Sequence, residues 1–240
     1  MDLSNIKGII FDYGGTIDSR GDHWSHILRK GWEVAGIDAS DQQFREAYVH
    51  AERQLAKVRH IDAGDTFHTL LRKKIQVELD YFIENGGRLP GKDDVEDAAL
   101  KIADYCNRYA LECVEEARPV LEALAAKYPL VLVSNFYGNV DAVLRAFGIR
   151  KYFNGIIESS VVGIRKPDPR IFMLGVVALG LKPDEVLVVG DSLKKDILPA
   201  RSIGCRTAWI KGRGWTPEED AADDPALIPG LGALLELTRS

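Results

Sequence analysis

The strongest constraint on the fold of this chain is a set of short apolar runs that each stop at a polar residue and then give way to a helical pattern. Residues 6–12 (IKGIIFD), 129–135 (PLVLVSN), 155–157 (GII), 186–191 (VLVVGD) and 206–210 (RTAWI) have the length and β-branched content of buried strands. The segments 140–148, 168–180 and 194–204 between the later runs repeat apolar residues at helical spacing. Asp168 is placed to cap the helix whose first turn holds Pro169. Strands alternating with helices demand a parallel sheet covered on both faces, so the fold class expected is α/β with a Rossmann-like sheet.

The first strand stands about a hundred residues before the others. Between them the pattern changes and apolar residues recur at three and four: Trp24, Ile27, Leu28 and Trp32; Phe44, Ala47, Tyr48 and Ala51; Phe67, Leu70, Leu71, Ile75 and Leu79; Leu100, Ala103 and Tyr109. Four helices explain this stretch, parted by turn signals at 36–41, 62–65 and 85–94, with Asp41 and Asp65 as expected N-caps. The organisation read from this is a core made of residues 1–18 and 117–240, with an all-helical unit, residues 19–116, inserted after the first strand. Strand and helix alternation is expected to resume after Pro119.

Composition narrows the function. The chain has 240 residues, 46% of them hydrophobic, and a formal net charge of -5. No basic stripe marks a nucleic-acid binder. The densest basic cluster, Arg72 to Lys74, lies among helically spaced leucines and reads as a solvated helix face. No apolar run is long enough to span a membrane, and the N-terminus lacks a signal-peptide pattern. Three cysteines without CxxC spacing fit neither a disulfide framework nor a zinc site, so a reducing cytoplasm is expected. The spacing leaves monomer and homodimer both open.

In open parallel sheets ligands bind beyond the carboxyl ends of the strands. Three runs end there in chemistry: the first in Asp12, the second in Ser134 and Asn135, the fourth in Asp191, with Asp196 following. Carboxylates gathered that closely repel one another unless a cation sits among them. Oxygen ligands without histidine or cysteine favour a hard ion, Mg²⁺ first. Gly15 and Thr16 offer backbone N–H groups to an anion, Ser134 a hydroxyl, and Lys166 on the loop before Pro167 a positive charge at the rim. A phosphate is the ligand this set anticipates.

These residues resemble the haloacid dehalogenase-like hydrolases along essentially the whole chain. Four motifs stand in the family's order: Asp12, Gly15 and Thr16 in FDYGGTI, Ser134 and Asn135 in LVLVSN, Lys166 in RKPDP, and Asp191 and Asp196 in VVGDSLKKD. The resemblance implies that Asp12 is a nucleophile forming an aspartyl-phosphate. It further implies that Ser134, Asn135 and Lys166 hold the phosphoryl group. Asp12, the Gly14 backbone carbonyl, Asp191 and Asp196, the last directly or through water, are implied to hold Mg²⁺. The inserted helices would be the family's small cap, and the substrate a small phosphorylated metabolite.

One departure stands out: the family's phosphatases usually carry an acid–base aspartate where this chain has Gly14. Asp18 and His23 are the nearest substitutes in sequence. Otherwise the chain favours substrates with good leaving groups, or is a weak enzyme kept as a phosphate-binding regulator. A metal-independent 2-haloacid dehalogenase is the remaining alternative; that branch commonly has tyrosine two residues after the nucleophile, whereas here Tyr13 follows it directly. Trp24 is expected in the core, His60 and His68 at the surface or satisfied, and Arg213 in a loop turn within reach of a substrate anion.

Overall fold

The computed structural model describes residues 3, 5–58, 60–91 and 94–238. Strands β1 (Gly8–Phe11), β2 (Leu130–Ser134), β3 (Gly155–Glu158), β4 (Val186–Gly190), β5 (Arg206–Ile210) and β6 (Leu227–Ile228) form one sheet, parallel throughout, in the order β3-β2-β1-β4-β5-β6. The two-residue β6 is absent from the sequence reading, because LI between a proline-rich stretch and a turn is too short to show a period.

Alternation along the central strands divides the core. Ile9 and Phe11, Leu130 and Leu132, and Leu187 and Val189 face one side, where they join the inserted helices in a continuous cluster. Ile10, Val131 and Val133, and Val186 and Val188 face the other, against α7 (Arg170–Leu179). Helices α5 (Val140–Ala146), α6 (Ser159–Val162), α8 (Leu198–Ser202), α9 (Pro217–Ala221) and α10 (Ala233–Leu237) complete the strand connections and the C-terminal end.

Four helices fill the interval between β1 and β2: α1 (Trp24–Val34), α2 (Asp41–Lys57), α3 (Phe67–Glu84) and α4 (Val95–Ala125). The expected caps are each off by one residue. Ser40 caps α2 in a capping box with Gln43, and Thr66 caps α3, while Asp41 is already helical and Asp65 pairs with Lys73. A hydroxyl on extended backbone meets the N3 amide; Asp41 adds an acidic charge to the first turn of α2, while the Asp65 carboxylate accepts the Asp62 N–H ahead of α3. Lys92 and Asp93 of the third turn lie outside the described residues. Asp168 takes the Arg170 N–H at 2.9 Å just ahead of α7.

The largest difference from the sequence reading is α4, which runs through Pro119 for 31 residues. A proline inside a helix removes one hydrogen bond and crowds the preceding turn, at a cost of about 3 kcal/mol. Burial of Val120, Leu121 and Leu124 beyond it offsets that cost, and Arg118, next to the proline, ties the helix to the Phe147 and Gly148 carbonyls at 2.8 and 3.1 Å. One helix thus links the inserted layer to the sheet.

The basic cluster also departs from expectation. Lys73 is paired with Asp62 and Asp65, but Lys74 is only 5% exposed and pairs with Glu52 of α2. Its position three residues after Leu71 and four after Leu70 places it on the apolar stripe. One turn on, Glu78 is buried beside the Trp32 indole, whose N–H donates to it at 3.3 Å, and its other oxygen has no partner. Burial, countered in part by Lys74, raises the Glu78 pKa from 4.5 to about 7. A carboxyl whose pKa is higher folded than unfolded contributes stability that is present below the unfolded pKa and lost as pH rises through the folded one. In urea titrations Glu78→Gln should lose about 3 kcal/mol less than wild type between pH 4.5 and pH 8; equal losses would show that Glu78 does not titrate on unfolding.

Candidate active site

The strand order puts β1 between β2 and β4, so the three chemistry-bearing strand ends meet. The Asp12 N–H donates to the Val189 carbonyl at 2.9 Å, which fixes the first residue after β1 level with the end of β4. Asp12, Asp191 and Asp196 present carboxylate oxygens that all lie within 4.8 Å of one another.

Lys166 stands at the centre of this group rather than at the rim. It is 5% exposed, and its Nζ donates to Asp12 Oδ1 and to Asp196 Oδ1, both at 2.6 Å. Burial opposes its charge, but the two carboxylates outweigh it and hold the Lys166 pKa above the ordinary lysine value. Asn135 is the residue that delivers it. The Asn135 side-chain amide accepts from the Lys166 N–H at 2.9 Å and donates to the Lys166 carbonyl at 3.1 Å, so both its polar atoms grip the lysine backbone.

Two glycines let the acids approach. A Cβ on Gly15, whose φ is +95°, would lie 2.3 Å from an Asp191 carboxylate oxygen. A Cβ on Gly190 would lie 2.4 Å from that of Asp196. After Gly190 the chain makes a π-helical turn, Leu193–Ile197, that brings Asp196 back, where its Oδ2 accepts the Ser192 N–H at 3.0 Å. Thr16 Oγ1 spans Asp12 Oδ2 and Asp191 Oδ1 at 3.2 Å each, and the Trp209 indole anchors the Asp191 carbonyl at 2.6 Å.

Three acids face one ammonium here. Burial first, then Asp196 and Asp12, raise the Asp191 pKa well above the carboxylate range; Asp196 is raised too, mainly by burial, although Lys166 pulls it down. The donor set fits a hard divalent cation: it is all oxygen, it is gathered within 4.8 Å, and the added charge relieves the repulsion. The residues available for such an ion are Asp12, Asp191 and Asp196.

The anion-facing amides also differ from expectation. The Gly15 N–H donates to Asp18 Oδ1 at 2.7 Å and the Thr16 N–H to the Tyr13 carbonyl at 3.2 Å, so neither is free. Among the described residues the Tyr13 and Gly14 N–H groups have no protein acceptor, and the Ser134 hydroxyl sits beside them at the end of β2. The Tyr13 ring turns into the core, edge-on to Phe136 and Phe67.

Above the carboxylates opens a cavity of about 330 Å³ whose walls come from both layers. Asp12, Gly14, Ser134, Lys166, Asp191 and Asp196 form its floor. Arg165, Lys194, Lys195 and Arg213 line it as well, a basic set suited to drawing in an anion. Trp24 contributes a wall while packing edge-on against Phe67, so it serves core and cavity together. His68 is satisfied by Asp104 at 2.7 Å, and His60 is exposed. Sequence reasoning missed Glu52, Lys74 and Tyr137, which reach the cavity from α2, α3 and the loop after β2; only the position of Lys74 on an apolar stripe signalled them.

Both proposed proton carriers line the cavity, in forms that do not suit the task. Asp18 has a pKa raised by burial to about 7, yet Oδ1 is held by Gly15 and Oδ2 is buried without a partner or solvent contact. His23 caps α1 through Nδ1, and burial with Lys195 and Lys74 nearby lowers its pKa to about 3, so it is neutral.

Residues 6–204 match the haloacid dehalogenase-like hydrolase family. The chain belongs to that family. A glyceraldehyde 3-phosphate phosphatase of Methanocaldococcus jannaschii is 28% identical over 237 residues, 98% of either protein. A phosphoserine phosphatase of Thermus thermophilus is 41% identical over 84 residues, 35% of this chain and 31% of that one, so this match spans about a third of each. Among solved structures, a dehalogenase superposes with a TM-score of 0.65 at 18% identity, covering 98% of both chains, which shows the fold alone. Among the described residues no helix is long and apolar enough to cross a membrane.

Lys166→Met leaves three buried acids without their cation, and breaking a buried pair this way costs about 3–5 kcal/mol. Thermal melts at pH 8 should show that loss, and millimolar Mg²⁺ should raise the melting temperature of wild type and variant alike, reversibly with chelator. A melting temperature indifferent to Mg²⁺ would remove the metal from the site.

Proposed function

We propose that this hydrolase is a Mg²⁺-dependent phosphatase acting on a small phosphorylated metabolite through an aspartyl-phosphate on Asp12. The observation that carries the reading is the Lys166 ammonium held between Asp12 and Asp196, with Asp191 beside them, on the floor of a cavity of metabolite size. Similarity over nearly the full length to a phosphatase of a three-carbon phosphate supports the substrate class. In this reading helices α1 to α4 act as the cap, residues 19–116 supply substrate selection, and a reducing cytoplasm suits three free, buried cysteines.

Phosphoryl transfer needs in-line positioning and charge neutralisation more than covalent help. Ser134, the Gly14 N–H group and Lys166 bind and orient the phosphoryl oxygens. An Asp12 oxygen forms a bond to phosphorus as the bond to the leaving oxygen breaks, and the electron pair departs with the alkoxide. A water oxygen then attacks phosphorus, the Asp12 O–P bond breaks, phosphate leaves, and the water's proton passes to solvent. Mg²⁺ bound by Asp12, Asp191, Asp196 and the Gly14 carbonyl would supply neutralisation of the acids and of the phosphoryl charge.

The leaving alkoxide still needs a proton. With residue 14 a glycine, Asp18 walled off and His23 neutral, water must provide it, so substrates with stable leaving groups are favoured. Tyr13, buried away from the cavity, weighs against the dehalogenase reading.

Across a series of phosphate esters assayed with Mg²⁺, the rate is expected to fall steeply as leaving-group pKa rises. Asp12→Asn should reduce turnover to background. A Cβ on Gly14 meets nothing within 4 Å, so Gly14→Asp should fit and speed alkyl phosphates by about 10²-fold. A flat wild-type dependence would show that another acid acts.

A further inference from the structure

The cavity wall carries, from α2 and α3, a partly buried ion pair that the proposed chemistry does not use. Glu52 of α2 and Lys74 of α3 are in direct contact, with side chains 32% and 6% exposed. Tyr137, from the loop after β2, donates its hydroxyl to both Glu52 oxygens, at 3.1 and 3.2 Å. The Lys74 ammonium also lies over the Tyr48 ring, 4.5 Å from its centroid. Both residues line the cavity, and Glu52 is the more exposed of the pair.

A buried ion pair is weak evidence of stabilisation, because apolar residues of similar volume often serve as well or better. Its position on a cavity wall points instead to recognition. Glu52 Oε1 accepts from both Lys74 and Tyr137, whereas Oε2 accepts from Tyr137 alone and keeps a lone pair. An acceptor whose charge is already balanced suits a neutral donor. At this charge-balanced pair neither a substrate carboxylate nor a substrate ammonium gains a net opposite charge, and an ammonium would also lie in a cavity lined by Arg165. Hydroxyl groups meet the wall at no charge cost, and a site built to hydrogen-bond hydroxyls discriminates strongly against analogues that lack them.

We propose that Glu52, held in place by Lys74 and Tyr137, selects a phosphorylated substrate whose leaving group is neutral and hydroxylated, such as a sugar. The inference rests on the phosphatase reading and names the substrate class of that same site. Joined to the demand for a stable leaving group at Gly14, it favours phosphate on an anomeric oxygen.

The test compares wild type with Glu52→Leu/Lys74→Met, which removes both charges together and so leaves neither buried alone. For each protein kcat/KM is measured with a hexose 1-phosphate and with phenyl phosphate; leaving-group reactivity is common to both proteins and cancels from the ratio of ratios. The preference for the sugar phosphate is expected to fall at least ~10-fold in the double variant, chiefly through KM. Tyr137→Phe, which keeps the pair and removes one of its anchors, should lower the preference about 3-fold, and it preserves the test if the double variant does not fold. In the wild type, O-phosphoethanolamine and phosphoglycolate should both be poorer substrates than the sugar phosphate. A double ratio that changes less than ~2-fold in folded variants, or a preference for either charged substrate, overturns the proposal. Failure of wild type to hydrolyse phenyl phosphate and the sugar phosphate alike defeats the phosphatase reading instead.

Discussion

The site depends on one buried ammonium. Lys166 lies within 2.6 Å of two carboxylates, with a third close by, in a place where any of these charges alone would be costly. Much nearby structure serves that contact. The strand order brings the ends of β1 and β4 together, Asn135 grips the lysine backbone from the end of β2, and Gly190 lets Asp196 fold back to meet it. The arrangement is still short of positive charge, since one ammonium cannot balance three acids, and that deficit is what a divalent cation would meet.

The sheet explains why these groups converge. A single parallel sheet with β1 at its middle places residues distant in sequence at adjacent strand ends. The helical insertion does not disturb it, because α1 to α4 all lie between β1 and β2, and α4 returns the chain to the sheet as a continuous rod. The cavity therefore has a floor set by strand register and a wall set by side chains on α1, α2 and α3. Such a division lets the wall vary in chemistry without moving the floor.

The strands, the insertion and the acids were legible because each is written in local pattern. Short unbroken apolar runs ending in Asp12, Ser134 and Asp191 show both the strands and their polar ends. What stayed hidden depends on partners far away in sequence. The grip of the Asn135 amide on the Lys166 backbone is not visible in the sequence, and the Gly15 N–H reads as free until Asp18 is seen to accept it. Lys74 hid inside a basic triplet, although its spacing from Leu70 and Leu71 put it on the buried stripe. Ser40 and Thr66 took the caps assigned to their aspartate neighbours because a one-residue shift in helix start changes which side chain meets the free amides.

Gly14 and Gly15 stand side by side in the same loop and answer to different constraints. Gly15 is required by the fold: its backbone is left-handed, and any side chain would strike the Asp191 carboxylate. Gly14 is under no such demand, since a Cβ there meets open space. The missing carboxylate at position 14 is therefore not imposed by packing, and the place it would occupy is part of the cavity. A site that retains room for an acid but does not carry one keeps its nucleophile and its charge balance while giving up help to the leaving group. Its chemistry is then limited by the substrate's own leaving oxygen, and selection passes to whatever the cavity wall recognises.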